Sequence, residues 1–162
     1  MFGFEDMWTF FLSLFLVFPL VTIIHQIGHL FFAKLFGCHV DIHIGTGNML
    51  CKIGPLYIRK LYFFDGWCKY KALHQKKNGK AKRIFVYLGG SIFNIAAIIL
   101  VNGLILQEIL HPNIVLYQFV YFSVYYVFFS LFPTDLSNGC PSDGKAVINI
   151  VFNKQFEKDP IN

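Results

Sequence analysis

The chain has 162 residues, of which 56% are hydrophobic, 19% aromatic and only 14% charged. An ordinary soluble domain carries about 25% charged residues, so this composition excludes that class and indicates a membrane protein. The formal net charge is +5, and much of it lies in the run KKNGKAKR at residues 76–83. That run favours a solvated loop facing lipid headgroups over a nucleic-acid site, and we expect no nucleic-acid partner.

Three apolar runs are long enough to cross a lipid bilayer, which takes about 20 helical residues. They cover residues 8–36, 84–110 and 114–133. All 14 Lys and Arg residues fall on one side of the resulting topology, and the positive-inside rule makes that side cytoplasmic. The N-terminus is therefore expected outside and the C-terminus inside. The compact length suggests the inner (cytoplasmic) membrane of a bacterium.

The first span contains the segment VTIIHQIGHLFF, which places three hydrogen-bonding side chains within five positions of an apolar run. His25 and His29 are four residues apart, so they point the same way from a helix. Two imidazoles at that spacing can bind one metal ion, which would offset the cost of burying polar groups at membrane depth. The alternative is that the two imidazoles hydrogen-bond neighbouring helices.

Residues 38–70 have a different character from the spans on either side. Apolar and polar residues alternate in HVDIHI, PLYIRKLYFF is rich in β-branched and aromatic residues, and DG is a turn dipeptide. These patterns predict two to four short strands at the cytoplasmic membrane face, followed by a basic loop over residues 71–83. Non-helical backbone at membrane depth must be buried in protein or line a wet cavity.

Residues 134–162 are predicted to form a loop and a short amphipathic helix. Asp143, in a DG turn that opens this helix, can re-enter the protein from the cytoplasmic side and reach the two histidines as a third ligand. Asp135 is the competing carboxylate, less favoured because it follows directly on the exit at Pro133. Two His and one carboxylate leave an open fourth position on zinc, which is the arrangement of catalytic sites.

The fold class expected for residues 1–162 is a single, mainly α-helical membrane unit. It has three transmembrane helices, a small membrane-associated β region between the first two, and a short C-terminal amphipathic helix. The sequence indicates no particular oligomeric state.

The segment HQIGH matches the zinc-metalloprotease pattern H-E-x-x-H except at the Glu. Together with GGSIFN in the second span, LFPTDLSNGCPSDG after the third, and the glycine-punctuated strand region, it resembles the site-2 protease family of intramembrane zinc proteases over roughly residues 8–150. The resemblance implies a zinc metalloendopeptidase that hydrolyses a peptide bond in or near the membrane segment of a substrate. It implies one Zn²⁺ per chain, held by His25, His29 and Asp143, with Asn94 hydrogen-bonded to the oxyanion or the substrate.

The same resemblance implies that the strand region presents an edge to an unwound, membrane-embedded or membrane-tethered polypeptide. The active site is expected to open to the cytoplasm. The residues expected to contact substrate are Ile42, Ile44, Tyr57, Ile58 and Gly90.

Gln26 occupies the position of the general-base Glu in H-E-x-x-H. It has nearly the same shape as Glu but cannot accept a proton, and loss of a general base costs about 10²–10⁴-fold in rate. We therefore expect a chain that binds zinc and is catalytically inactive. An engineered Glu→Gln substitution is favoured by the otherwise complete site. The alternatives are a natural pseudoprotease and a non-enzymatic metal-binding membrane subunit.

Overall fold

The computed structural model describes residues 4–71, 79–135 and 140–152. In chain order, the elements are α1 (Phe4–Leu12), a π-helical segment (Ser13–Val17), α2 (Phe18–Leu35), β1 (His39–Ile53), β2 (Leu56–Lys71), α3 (Gly79–Leu106), α4 (Ile114–Leu131) and α5 (Asp143–Val151). Three helical stretches are long and apolar enough to cross a membrane: Met7–Leu35, Gly79–Leu106 and Ile114–Leu131. The prediction of a mainly helical membrane protein with three spans and a small sheet between the first two is confirmed.

The first span is one continuous helix with a π-helical turn in its N-terminal half. The Phe18 N–H donates to the Ser13 carbonyl, five residues earlier, and Pro19, which has no N–H to donate, follows in the first turn of α2. The Ser13 hydroxyl also pairs with Gln118 of α4. Ser13, the first residue of the π-helical turn, therefore connects this half of the first span to the third span by a hydrogen bond.

α2 and α3 pack closely because glycines face each other where they cross. A Cβ on Gly28 would lie 2.2 Å from the Gly89 carbonyl oxygen, and a Cβ on Gly89 would lie 2.6 Å from the Gly28 carbonyl oxygen. Small residues allow this kind of backbone approach between membrane helices. The crossing places the backbone of α3 directly against the face of α2 that carries the two histidines.

The sheet consists of two long, bent antiparallel strands in place of the short strands predicted. Residues 42–44 of β1 each have two partners, one within residues 56–58 and the other within residues 66–68 of β2. Residues 42–44 therefore lie in the interior of the sheet. Among the described residues, no strand pairs on the far side of residues 66–68. Gly66, part of the predicted DG turn, lies within β2.

The second span begins and ends earlier than the apolar run predicted. α3 covers Gly79–Leu106 instead of residues 84–110. It starts earlier because Lys, Ala and Arg extend a helix well but carry no membrane signal. The predicted basic loop at 71–83 is accordingly divided between the end of β2, the start of α3, and residues 72–78. Residues 72–78 and the last part of the predicted C-terminal region, 153–162, lie outside the described residues.

Candidate metal centre

The two histidines of α2 and one carboxylate of α5 come together in the protein interior. His25 and His29 are only 2% and 3% exposed. Asp143 Oδ2 lies 3.3 Å from His25 Nε2 and 3.4 Å from His29 Nε2. The competing carboxylate, Asp135, instead forms an ion pair with Lys145. The structure therefore brings together the three residues that the sequence analysis singled out as ligands.

Asp143 reaches the histidines because the start of α5 packs against the end of α4. The Ser142 hydroxyl donates to the Phe132 carbonyl at 2.6 Å and caps the N-terminus of α5. A Cβ on Gly144 would lie 1.8 Å from the Leu131 carbonyl oxygen, so only glycine permits this approach. The three consecutive residues therefore have three different roles: Ser142 caps the helix, Asp143 supplies a candidate ligand, and Gly144 allows the close approach to α4.

Two of the three side chains are oriented by hydrogen bonds to groups outside the centre. His29 Nδ1 lies 2.7 Å from the Val86 carbonyl oxygen, so Nδ1 carries the proton and Nε2 presents its lone pair. The Ser130 hydroxyl donates to Asp143 Oδ2 at 2.6 Å. A carboxylate that accepts a hydrogen bond favours its ionised form, which is the form that binds a metal.

His25 packs against α3 at two positions one helical turn apart. A Cβ on Gly90 would lie 2.4 Å from His25 Nε2, so glycine makes room for the ring itself. Asn94 is fully buried, and its Nδ2 lies 3.4 Å from His25 Nδ1. The predicted GGSIFN element therefore meets His25 twice: Gly90 leaves room for the ring near Nε2, and Asn94 lies against Nδ1.

Two of the three separations between donor atoms match those around a tetrahedral zinc ion. Ligand atoms about 2.0–2.1 Å from such an ion are about 3.3–3.4 Å from one another. The two nitrogen-to-oxygen distances on Asp143 Oδ2, 3.3 and 3.4 Å, match this value. All three ligand atoms lie within 4.8 Å of one another, in a group that could hold a metal ion.

A cavity of about 420 Å³ adjoins the three residues and extends between α2, α4 and β2. Its polar end is formed by the candidate ligands and Gln26. Its walls are largely aromatic, with contributions from Phe18, Trp67, Tyr87, Tyr125, Tyr126 and Phe129. Such a cavity can accept apolar side chains directly beside the donor atoms.

The sequence model of peptidase family M50 matches residues 13–157. The chain belongs to this family, the site-2 protease family. It is 44% identical over 160 residues to the uncharacterised membrane protein YwmF of Bacillus subtilis (strain 168), an alignment covering 98% of this chain and 99% of the relative. No solved structure matches the chain. The M50 family is zinc-dependent in general, and the donor set described above fits that metal.

The part of the sheet that borders the cavity of this M50 protein differs from the part that the sequence indicated. Gly66, Trp67 and Cys68 line the cavity. The predicted contacts Ile42 and Ile44 are each 2% exposed and belong to the core cluster. Alternation in a strand shows which residues face a core, but it does not show which segment of a bent hairpin becomes the edge.

The two other predicted strand contacts, Tyr57 and Ile58, pair with residues on both sides, including His43 and Ile44 of β1. They do not line the cavity. Neither does Asn94, the residue that the resemblance places near the scissile carbonyl. Gly90 touches the His25 ring instead.

Gln26, which follows His25 in HQIGH, forms hydrogen bonds to β2 from both ends of its amide. Its Nε2 donates to the Gly66 carbonyl at 2.9 Å, and its Oε1 accepts from the Cys68 thiol at 2.8 Å. The side chain is only 4% exposed. Gly66 and Cys68 had no signal in the sequence that linked them to residue 26, since they follow it by 40 and 42 positions.

Proposed function

We propose that this protein binds one zinc ion through His25, His29 and Asp143 beside a cavity that receives an extended segment of a membrane-embedded or membrane-tethered polypeptide. The observation that carries the proposal is the convergence of two buried imidazole nitrogens on one carboxylate oxygen, at 3.3 and 3.4 Å. Zinc, when bound, would supply the Lewis acid that peptide hydrolysis requires. The architecture is therefore that of a zinc metalloendopeptidase.

Gln26 leaves this endopeptidase architecture without its general base. An amide cannot take up a proton, and the loss of a general base costs about 10²–10⁴-fold in rate. His29 Nδ1 donates to the Val86 carbonyl and His29 Nε2 faces Asp143. His25 faces Asp143 through Nε2 and contacts α3 through Nδ1. Neither histidine is therefore available to replace the missing base. The chain with Gln26 is accordingly proposed to bind its polypeptide partner without efficient hydrolysis.

The partners of the Gln26 amide favour a natural binding protein over an engineered substitution. A donor is needed opposite the Gly66 carbonyl, and the amide nitrogen supplies it at 2.9 Å. An ionised Glu in the same rotamer would place a carboxylate oxygen against that carbonyl oxygen, with no proton between the two acceptors. The site around residue 26 is therefore complementary to an amide, which supports a natural pseudoprotease.

The polypeptide is proposed to enter the cavity as an extended segment beside residues 66–68, the sheet edge where the Gly66 carbonyl accepts from Gln26. Trp67, Tyr125 and Phe129 line the cavity beside this edge and are suited to apolar side chains. We place the protein in a bacterial inner membrane with the site opening to the cytoplasm, consistent with the charge bias and with a bacterial relative.

Metal analysis of the purified protein tests the proposed zinc centre. We expect about one zinc per chain, lost in His25→Ala and in Asp143→Ala, because each removes one of three donors. Asp135→Ala is the matched control, since that carboxylate pairs with Lys145 and is expected to leave zinc bound. A parent protein without zinc, or an Asp143→Ala variant that retains it, would contradict the proposal.

Restoring the base tests the proposed lack of hydrolysis. Gln26→Glu, co-expressed with membrane-tethered peptides, is expected to retain zinc and to cleave little, because a carboxylate is poorly matched to the Gly66 carbonyl. Efficient cleavage by this variant would show that the site is fully built for hydrolysis and would favour an engineered substitution instead.

A further inference from the structure

We infer that Asn94 is a positioning residue for His25. The amide oxygen of Asn94 accepts a hydrogen bond from His25 Nδ1–H when His25 Nε2 binds the metal. The inference rests on the zinc centre proposed above and deepens it. It also replaces the role near the scissile carbonyl that the family resemblance implied for Asn94.

The first observation is the location of Asn94 relative to the cavity. The residue is fully buried in α3 and does not line the cavity. Its side chain instead meets His25 from behind, with Nδ2 3.4 Å from Nδ1. Since a group that stabilises an oxyanion must reach the reacting atoms, this location supports an action through His25.

The second observation is an unsatisfied acceptor in the same side chain. Asn94 Oδ1 is buried and has no hydrogen-bond partner among the described residues. The two ends of an amide have the same shape, so a half-turn about the last bond exchanges them without a change in packing. The exchange points Oδ1 at His25 Nδ1 and gives the buried oxygen a donor.

The third observation concerns the proton on His25. Its Nε2 faces Asp143 Oδ2 at 3.3 Å, so Nε2 is the atom available to a metal. A neutral imidazole that binds through Nε2 carries its proton on Nδ1, and this N–H needs an acceptor. The second ligand has that arrangement already, because His29 Nδ1 donates to the Val86 carbonyl at 2.7 Å. Asn94 provides the equivalent acceptor, from the same helix, for His25.

The Gly90 carbonyl is the competing acceptor, since it also interacts with the His25 ring. The two candidates differ in a useful way: one is a side chain that can be replaced, and the other is backbone. Asn94→Leu removes the side-chain acceptor at similar volume and leaves the Gly90 carbonyl in place. Asn94→Asp keeps an oxygen acceptor but removes the amide donor.

The test measures zinc affinity by competition with a chromophoric chelator in one detergent. We expect about 10–100-fold weaker binding for Asn94→Leu, which is the usual effect of losing a partner of a metal-bound histidine. Asn94→Asp should bind within a few-fold of the parent. Asn102→Leu is the matched control on the same helix, where the amide only donates to the Ile98 carbonyl at an exposed position, and its affinity should be unchanged.

A second readout reports the tautomer directly. In ¹⁵N-histidine NMR spectra of the zinc-loaded parent, His25 should carry its proton on Nδ1, and Asn94→Leu should shift that resonance more than Asn94→Asp does. Parent-like affinity in Asn94→Leu would assign the acceptor role to Gly90 and overturn the inference, as would equal losses in the Leu and Asp variants. A proton on His25 Nε2 in the zinc-loaded parent would also overturn it. A parent that binds no zinc would instead show that the proposed centre itself is wrong.

Discussion

Replacement of Gly28 by Ala is expected to weaken zinc binding and destabilise the protein, although Gly28 is not a ligand. The added Cβ would lie 2.2 Å from the Gly89 carbonyl oxygen, whereas ordinary contact begins at 3.4 Å. α2 and α3 must therefore separate by about 1.2 Å at this point, and overpacking of this kind costs about 1–3 kcal/mol in the free energy of unfolding.

The same separation acts on the metal centre through His29. Its Nδ1 donates across the α2–α3 interface to the Val86 carbonyl at 2.7 Å, and N–H···O bonds rarely extend beyond about 3.2 Å. Loss of such a partner typically weakens metal affinity about 10–100-fold. We therefore expect Gly28→Ala to lower both the thermal unfolding midpoint and the zinc affinity measured by chelator competition.

Gly103→Ala is the matched control, because nothing lies within 4 Å of a Cβ built at Gly103. This variant should keep the zinc affinity of the parent and be equally or slightly more stable, since Ala favours a helix over Gly. If Gly28→Ala matched Gly103→Ala in both measurements, the close glycine crossing would not be what holds the two histidines in place.

Two further predictions concern the Asp143 carboxylate and the sheet. Ser130→Ala removes the 2.6 Å hydrogen bond to Asp143 Oδ2; bonds to charged groups contribute about 1.5–3 kcal/mol, so zinc affinity should fall at least tenfold, and parent-like affinity would contradict this. Burial, and then Arg59, lower the pKa of His43 below its ordinary value of 6.5. The unfolded chain then binds more protons than the folded chain as the pH falls below that value, and thermal stability should decrease with acidification. With a metal chelator present, the thermal unfolding midpoint of His43→Gln should fall less between about pH 7.5 and 5.5 than that of the parent. An equal fall would assign the effect to other groups.

The sequence by itself determined the features that depend on local pattern. An apolar run of sufficient length can satisfy its backbone in lipid only as a helix, so the three spans follow from composition. Two histidines four residues apart share a helix face whatever the rest of the fold does. The order of HQIGH, GGSIFN and the Ser-Asp-Gly element was enough to indicate the family, which the match over residues 13–157 confirms.

Only the tertiary structure decided which groups meet at the centre and what each can do there. The edge beside the cavity is at residues 66–68 because the bent hairpin pairs residues 42–44 on both sides. Asn94 lies behind His25 because the glycine crossing brings α3 against α2. Gln26 meets β2 across 40 residues of intervening chain. These contacts depend on how bent strands and closely packed helices fit together, and no periodicity in a single segment contains that information.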